Sequence, residues 1–389
     1  MQAAWRFFQN EAVSLQALVE PLWISGCRGA AASASDYVLL VQDWSKLRYD
    51  HAHKKDLVKL PGQENFGYDL SVALLVDAAD GVPLAPMDLE LYSARGVHST
   101  RTKGARTHVA HIDQVLQTMK AAQGWELPRT PVHIIDSEAD GLVQFREWSK
   151  AGHLFVVRAD KVRCGRWEGE RVSFPEIARR LWRRGAFRDV REVSYQGRKA
   201  RQFVAEAEVV LEGSGRKRTR EGRVYIPGPP LTLRLVIAQV RDENGKLLAT
   251  WLLLTNVPAC VGAEIVALWY YWRWRIESFF KLMKSHGQEV EAWMQHDALR
   301  IAKRLLVAAM ACTAVWQLQH DPSPEARDME RVLVKISGRQ TKRKRPVTIP
   351  ALLAGLQSLL AVLLILEDYT PNQLRRLLAR TLPALVDSG

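Results

Sequence analysis

Acidic residues are in short supply in this chain of 389 residues. Against 55 Lys and Arg stand 42 Asp and Glu, leaving a formal net charge of +13 and a pI near 9.7. A deficit of that size favours polyanions, because a surplus of fixed positive charge releases counterions when it meets phosphates. Nucleic acid is the leading partner on this ground, with a merely basic soluble protein as the alternative. Cysteine is scarce too. Cys27, Cys164, Cys260 and Cys312 are scattered and form no C-x-x-C pair, which excludes a zinc knuckle or a dithiol redox motif and fits free thiols in a reducing cytoplasm. The N-terminus shows no basic leader followed by an apolar stretch, an argument against secretion. The most apolar run, residues 351–366, contains Gln357 and Ser358 and falls short of the roughly 18 to 20 apolar residues of a membrane span, so it reads as a core or interface helix. There is no internal repeat and no low-complexity tract. What remains, 47 % apolar and 25 % charged residues, is the composition of an ordinary packed protein.

Along the chain, AAWRFFQN and VSLQALVEPLW read as helical and GCRGAAASAS as a linker. YVLLVQDWS is a short β-rich run ending in Asp43, and GYDLSVALLVDAADGVPLAPMDLELYS supplies two more strands around a Gly-Val-Pro turn, completing a meander. A loop rich in Arg, His and Thr and a helix over residues 107–123 lead to PVHIIDSEADG. There a strand ends in Asp136, and a helix from about Asp140 precedes the strand HLFVVR. Residues 159–249 alternate Arg-rich segments with β-like runs and read as a β-rich insertion. TWLLLT then returns the chain to the main body, and a long helix starts near Gly262. An apolar helix, a basic segment around Lys342 and a helical hairpin complete the chain.

Asp43 and Asp136 each follow an apolar strand, and Glu277 lies on the late helix WYYWRWRIESFFKLMK. Strand ends on one sheet edge can gather acids that are far apart in sequence, and three hard oxygen ligands suit Mg²⁺ or Mn²⁺. Two such ions would activate the attacking oxygen and stabilise the leaving one in phosphoryl transfer. At about 100° per residue, Tyr270, Arg273, Glu277 and Lys284 share one stripe of that helix, opposite a buried face of Trp272, Ile276, Phe279 and Met283. A plainer account stays open: aspartates at strand ends are common turn formers, and Arg273 with Glu277 makes an ordinary i,i+4 pair on a solvated face.

The spacing Y-x2-R-x3-E-x6-K at Tyr270, Arg273, Glu277 and Lys284 resembles the Tyr-Arg-Glu-Lys signature of bacterial insertion-sequence transposases with an Asp-Asp-Glu triad, in the insertion-sequence-four family and its transposon-five branch. IIDSEADG, FVVR ending at Arg158, and WLLLT at Trp251 are similar to further motifs of that branch, in the same order. The resemblance implies an α/β fold: a ribonuclease-H-like mixed-sheet catalytic core interrupted by a β-rich insertion, with a helical C-terminal region. It implies that Asp43, Asp136 and Glu277 are the catalytic metal ligands for two Mg²⁺ ions, with Mn²⁺ as substitute. Tyr270, Arg273, Lys284 and Arg158 become DNA contacts, and Trp251 becomes a platform for a flipped base.

The implied reaction is cut-and-paste transposition through strand cleavage, a hairpin and strand transfer. Its implied partners are double-stranded DNA, as transposon-end inverted repeats and target, and a second copy in a synaptic complex, in a bacterial cytoplasm near the nucleoid. The corresponding division is a remnant of an end-binding domain plus linker (1–35), the first part of the core (36–158), the insertion (159–249), the last part of the core (250–320) and a basic segment with C-terminal helices (321–389). AAWRFFQN resembles the end of the family's end-binding domain, so most of that domain is expected to be missing. A truncated relic that inhibits a full-length copy, or a metal-dependent nuclease, are the alternatives. Ser137 stands where the family pattern usually has Arg, a position that is not a catalytic ligand, so the departure is expected to cost a local contact at most. The basic runs near Arg216 and Lys342 are further candidates for the DNA backbone.

Overall fold

A computed structural model of the chain describes residues 2–49, 54–60, 65–219, 222–339 and 347–381. Alternating and continuous apolar runs build the first strands: β1 (Tyr37–Arg48), β2 (Val58–Lys59), β3 (Phe66–Asp77), β4 (Pro83–Ser93), β5 (Gly96–Ser99), β6 (Thr102–Arg106), β7 (Thr130–Ile135) and β8 (Leu154–Arg158). β3 lies antiparallel to β1 and to β4, whereas β7 runs parallel to β1 and β8 parallel to β7. The central order is therefore β4-β3-β1-β7-β8, a mixed sheet. Two parallel neighbours require crossovers, and helices His111–Gln123 and Leu142–Lys150 supply them. Their apolar residues Val115, Met119, Phe145 and Trp148 pack with Phe155 and Val157 on one face. Helices Leu15–Ala32, Ala263–Tyr271 and Ala298–His320 contribute to the other main core. This is an α/β architecture with a large mixed sheet.

Several local expectations change. GCRGAAASAS is not a linker: helix Leu15–Ala32 runs through it. Its glycines serve close packing, since a Cβ on Gly26 would stand 2.6 Å from Met87 Sδ of β4. The loop before residue 107 is the β5–β6 hairpin, and the next helix starts only at His111. β1 does not end at Asp43; it continues to Arg48 beside β3, while its pairing with β7 stops at Gln42 opposite Ile135.

The insertion comprises β9 (Cys164–Trp167), β10 (Glu170–Ser173), β11 (Arg188–Tyr195), β12 (Arg198–Leu211), β13 (Gly215–Thr219), β14 (Gly222–Ile226) and β15 (Leu231–Arg241), with β16 (Leu247–Thr255) completing it. It is not wholly β: Phe174, Ile177, Ala178 and Leu181 form the buried stripe of helix Phe174–Arg183. Nor is it a separate layer. β16 pairs antiparallel with β8 and with β15, and β15 with β12, so the insertion prolongs the central sheet. The basic run around Arg216 forms the β13–β14 hairpin, whereas the run around Lys342 lies outside the described residues.

The helix expected to run unbroken from Gly262 is divided. Ala263–Tyr271 is followed by Trp274–Lys281 and then by a π turn, Leu282–His286. Between the two helices the N–H groups of Arg273, Arg275 and Ile276 reach carbonyls three residues back, tightening the coil. At the far end, helix Ile349–Asp368 is long and apolar enough to cross a membrane, contrary to the shorter run read from sequence. Only its first turns are buried, at Ala351, Leu352, Leu353 and Gly355; Leu360, Leu363, Leu364 and Leu366 are exposed.

Candidate functional site

The site lies where β7 ends and β1 continues. Gln42 pairs with Ile135, so Asp43 and Asp136 are the next residues on two adjacent parallel strands, at the same height. Asp43 still pairs with Val72 of β3, which fixes its backbone. Asp136 begins a 3₁₀ turn, its carboxylate accepting from Ser137 N–H. The strands thus present both acids on a rigid edge.

Glu277 arrives from the other direction. The helix that carries it is docked on the β3–β4 turn: Trp272 packs against Gly81, and Arg275 Nε donates to the Gly81 carbonyl at 2.8 Å. Gly81 is in the left-handed region at φ +75, and a Cβ there would stand 2.4 Å from the Trp272 ring, so only glycine fits this approach.

Arg273 joins the three acids. It is 5 % exposed. Its Nη1 donates to Asp43 Oδ2 at 2.7 Å, while Nη2 donates to Glu277 Oε1 at 2.6 Å and lies 3.8 Å from Asp136 Oδ2. The i,i+4 pair with Glu277 therefore exists, but it is not on a solvated face; one buried guanidinium is shared among carboxylates from three parts of the chain. Arg158, at the end of β8, adds a second cation 2.7 Å from Asp136 Oδ1, and it donates to Ser137 Oγ at 3.2 Å. Serine at position 137 thus retains a local contact.

Burial, the largest effect, raises the Asp43 carboxyl to about 6; Arg273 and the Trp44 N–H oppose it, and Asp136 and Glu277 reinforce it. For Arg273 burial again acts first, against the charge, but Tyr270 and the three acids outweigh it and hold the group above its ordinary value. Tyr270 is buried, and its ring centroid lies 5.8 Å from the Arg273 guanidinium carbon. Desolvation pushes its phenol upward, so it stays a neutral donor. Tyr270 Oη and Arg273 Nε are buried without a hydrogen-bond partner among the described residues.

Lys284 is not brought to the acids. It falls in the π turn, where the 100° step no longer holds, and donates to the Lys46 carbonyl, with Glu291 at 3.8 Å. Trp251, in β16 opposite Ala238, is half-buried and lines a cleft with Tyr270, Tyr271 and Trp274. Tyr271 and Trp274 are exposed, which makes an aromatic rim beside the acids. The rim was missed in the sequence because these two aromatics lie inside a helix whose bend was not visible. Trp44, His111 and Glu138 also flank the site, and residues so far apart in sequence give no local signal.

Among the described residues, no three or more His, Cys, Asp and Glu side chains form a ready metal-binding group; Arg273 stands between the acids instead. The donor set nevertheless fits a divalent cation. Its oxygens are hard, and all three carboxylates lie within 3.8 Å of one guanidinium.

The sequence matches no protein-family model and no curated protein. Among solved structures, the piggyBac transposase synaptic complex with hairpin DNA is similar at 11 % identity and a TM-score of 0.28, over 81 % of this chain and 59 % of that one. So loose a likeness carries no argument, and the chain spans less than two thirds of that neighbour's length.

Proposed function

We infer that the chain is a DNA transposase of the Asp-Asp-Glu type, working by divalent-metal phosphoryl transfer. One observation carries this reading: Asp43, Asp136 and Glu277, from two strands and a distant helix, converge on a single guanidinium at the open edge of the sheet. The central order β4-β3-β1-β7-β8 supports a ribonuclease-H-like core, with the insertion entering between the second and third acids. The net charge of +13 supports a polyanionic partner.

Asp43, Asp136 and Glu277 would hold Mg²⁺ or Mn²⁺, with two ions the expected number. Bound there, such ions supply a lowered pKa for the attacking water or 3′-hydroxyl and charge stabilisation at the phosphate. The chain supplies the rest. The strands fix two acids, and the helix supplies the third, whose side chain is 37 % exposed and held by Arg273. Arg273 keeps the acids together before loading, and afterwards its guanidinium and that of Arg158 can meet phosphate oxygens. The Tyr270 hydroxyl is a further donor. Trp251, Tyr271 and Trp274 offer faces on which an unpaired base can stack, which suits a hairpin step. The exposed leucines of helix Ile349–Asp368 suit pairing of two copies.

The test is DNA cleavage in Mg²⁺ with a plasmid carrying the sequence that flanks the gene, followed by joining of pre-cut ends. Glu277→Ala and Asp136→Asn should abolish cleavage and leave DNA binding intact. Cleavage without joined product would assign a hydrolytic nuclease; unchanged cleavage in both variants would remove the triad assignment.

A further inference from the structure

His111, the first residue of helix His111–Gln123, bridges two carboxylates. Its Nε2 lies 2.7 Å from Asp69 Oδ2 of β3, and its Nδ1 lies 2.9 Å from Glu138 Oε2 in the 3₁₀ turn. The ring also stacks flat on the Trp44 indole, with centroids 4.4 Å apart and planes 7° from parallel. Trp44 Nε1 donates to Gln114 Oε1 at 2.6 Å, so one helix grips the indole at its face and at its edge. Trp44 directly follows Asp43, and Glu138 lies two residues after Asp136.

We propose that His111 is a positioning residue for the acid site, clamping together the two segments that carry Asp43 and Asp136. The proposal rests on reading those acids as a metal site. Neutral imidazole has one N–H, whereas two carboxylate contacts require two; the geometry therefore calls for the imidazolium. A cation at a helix N-terminus is disfavoured by the helix dipole. Burial also opposes the charge and is the largest single influence, but Asp69 and Glu138 together outweigh it and raise His111 to about 9. The titratable groups around the clamp are Asp69 on β3, Glu138 in the turn and His108 before the helix, whose burial favours its neutral form, with Lys46 of β1 and Asp136 acting on Glu138. The Trp44 face adds a cation–π attraction. The folded-state pKa is raised, so in the folded chain the imidazolium persists up to about pH 9, and its contribution to stability is full below about pH 6.5, the ordinary histidine value, and lost as the pH rises through about 9.

Two measurements on the full chain test this. Side-chain ¹H–¹⁵N spectra should show His111 protonated on both nitrogens at pH 7.5 and titrating near 9. Mn²⁺ binding, followed by electron paramagnetic resonance, should weaken about tenfold in His111→Gln, which keeps one donor and loses the charge. Asp69→Asn should lower the His111 pKa and weaken Mn²⁺ in the same way, and the double variant should be no worse than the more affected single one. If His111→Gln loses the wild-type circular dichroism spectrum, Asp69→Asn alone decides, since the ring then stays in place. Wild-type Mn²⁺ affinity in folded variants, or His111 titrating at or below 6.5, would overturn the clamp and leave the acid site standing. Failure of the wild-type chain to bind Mn²⁺ would overturn the acid-site reading and the clamp with it.

Discussion

Replacing Arg273 by Gln removes the charge around which the three acids are arranged. Glu277 is 37 % exposed, so solvent screens it and it adds little to the cost. Asp136 keeps Arg158 at 2.7 Å, so Asp43, at 20 % side-chain exposure, carries most of the penalty. Leaving buried charges without a partner costs about 3 to 5 kcal/mol, and a residual amide hydrogen bond places Arg273→Gln near 3 kcal/mol. The loss should depend on pH. Asp43 already has its carboxyl raised to about 6, and without Arg273 it moves higher, so at pH 5 the acid is protonated and needs no counter-charge. At pH 8 it is ionised and the penalty is complete. Urea denaturation in EDTA, followed by tryptophan fluorescence, should therefore show a deficit at least 1 kcal/mol larger at pH 8 than at pH 5, a difference within the reach of a one-unit pKa shift. Millimolar Mn²⁺ at pH 8 should restore part of it, because a divalent ion can take over the role of the lost cation. Equal deficits at both pH values, with no recovery in Mn²⁺, would show that Arg273 is not the acids' counter-charge.

Asp43→Asn should melt above the wild type at pH 7 and level with it near pH 4. The raised native pKa means that the folded form binds more protons between about 4 and 6, so wild-type stability falls as pH rises through that window, by at most about 3 kcal/mol. A lower melting temperature at pH 7 would contradict this. Gly81→Ala should cost about 1 to 3 kcal/mol by thermal denaturation, because of its left-handed φ and the Trp272 ring against it, and should slow cleavage by shifting the Glu277 helix. Wild-type stability and rate would refute that docking role. Trp251→Ala should weaken binding to DNA with an unpaired end base by about 1 to 3 kcal/mol in fluorescence anisotropy while leaving fully paired duplex unaffected; equal losses on both would make Trp251 a packing residue.

Much of the fold was legible because burial imposes simple patterns. The apolar runs before Asp43 and Asp136 are strands enclosed on both sides, and Trp272, Ile276, Phe279 and Met283 are buried as their spacing requires. Tertiary contacts hid the rest. Gly26 and Gly29 look like linker residues but let a helix approach β4, a need created only by Met87 and Leu84. Phe174–Arg183 has a helical apolar stripe, masked by its three arginines. The bend at Arg273 leaves no mark in composition, since Arg273 itself keeps right-handed helical angles. At the site, residue types and spacing pointed to the acids and to Arg273. That Arg273 lies between them, that Lys284 turns toward Lys46, and that His111 reaches Asp69 and Glu138 are facts of packing across the sheet.

Anomalous diffraction from crystals grown with Mn²⁺ and DNA tests the central claim most directly. The account predicts manganese peaks within coordination distance of Asp43, Asp136 and Glu277, with the Arg273 guanidinium displaced toward a phosphate. Manganese bound elsewhere, with Arg273 still bridging the three carboxylates in the presence of DNA, would contradict it.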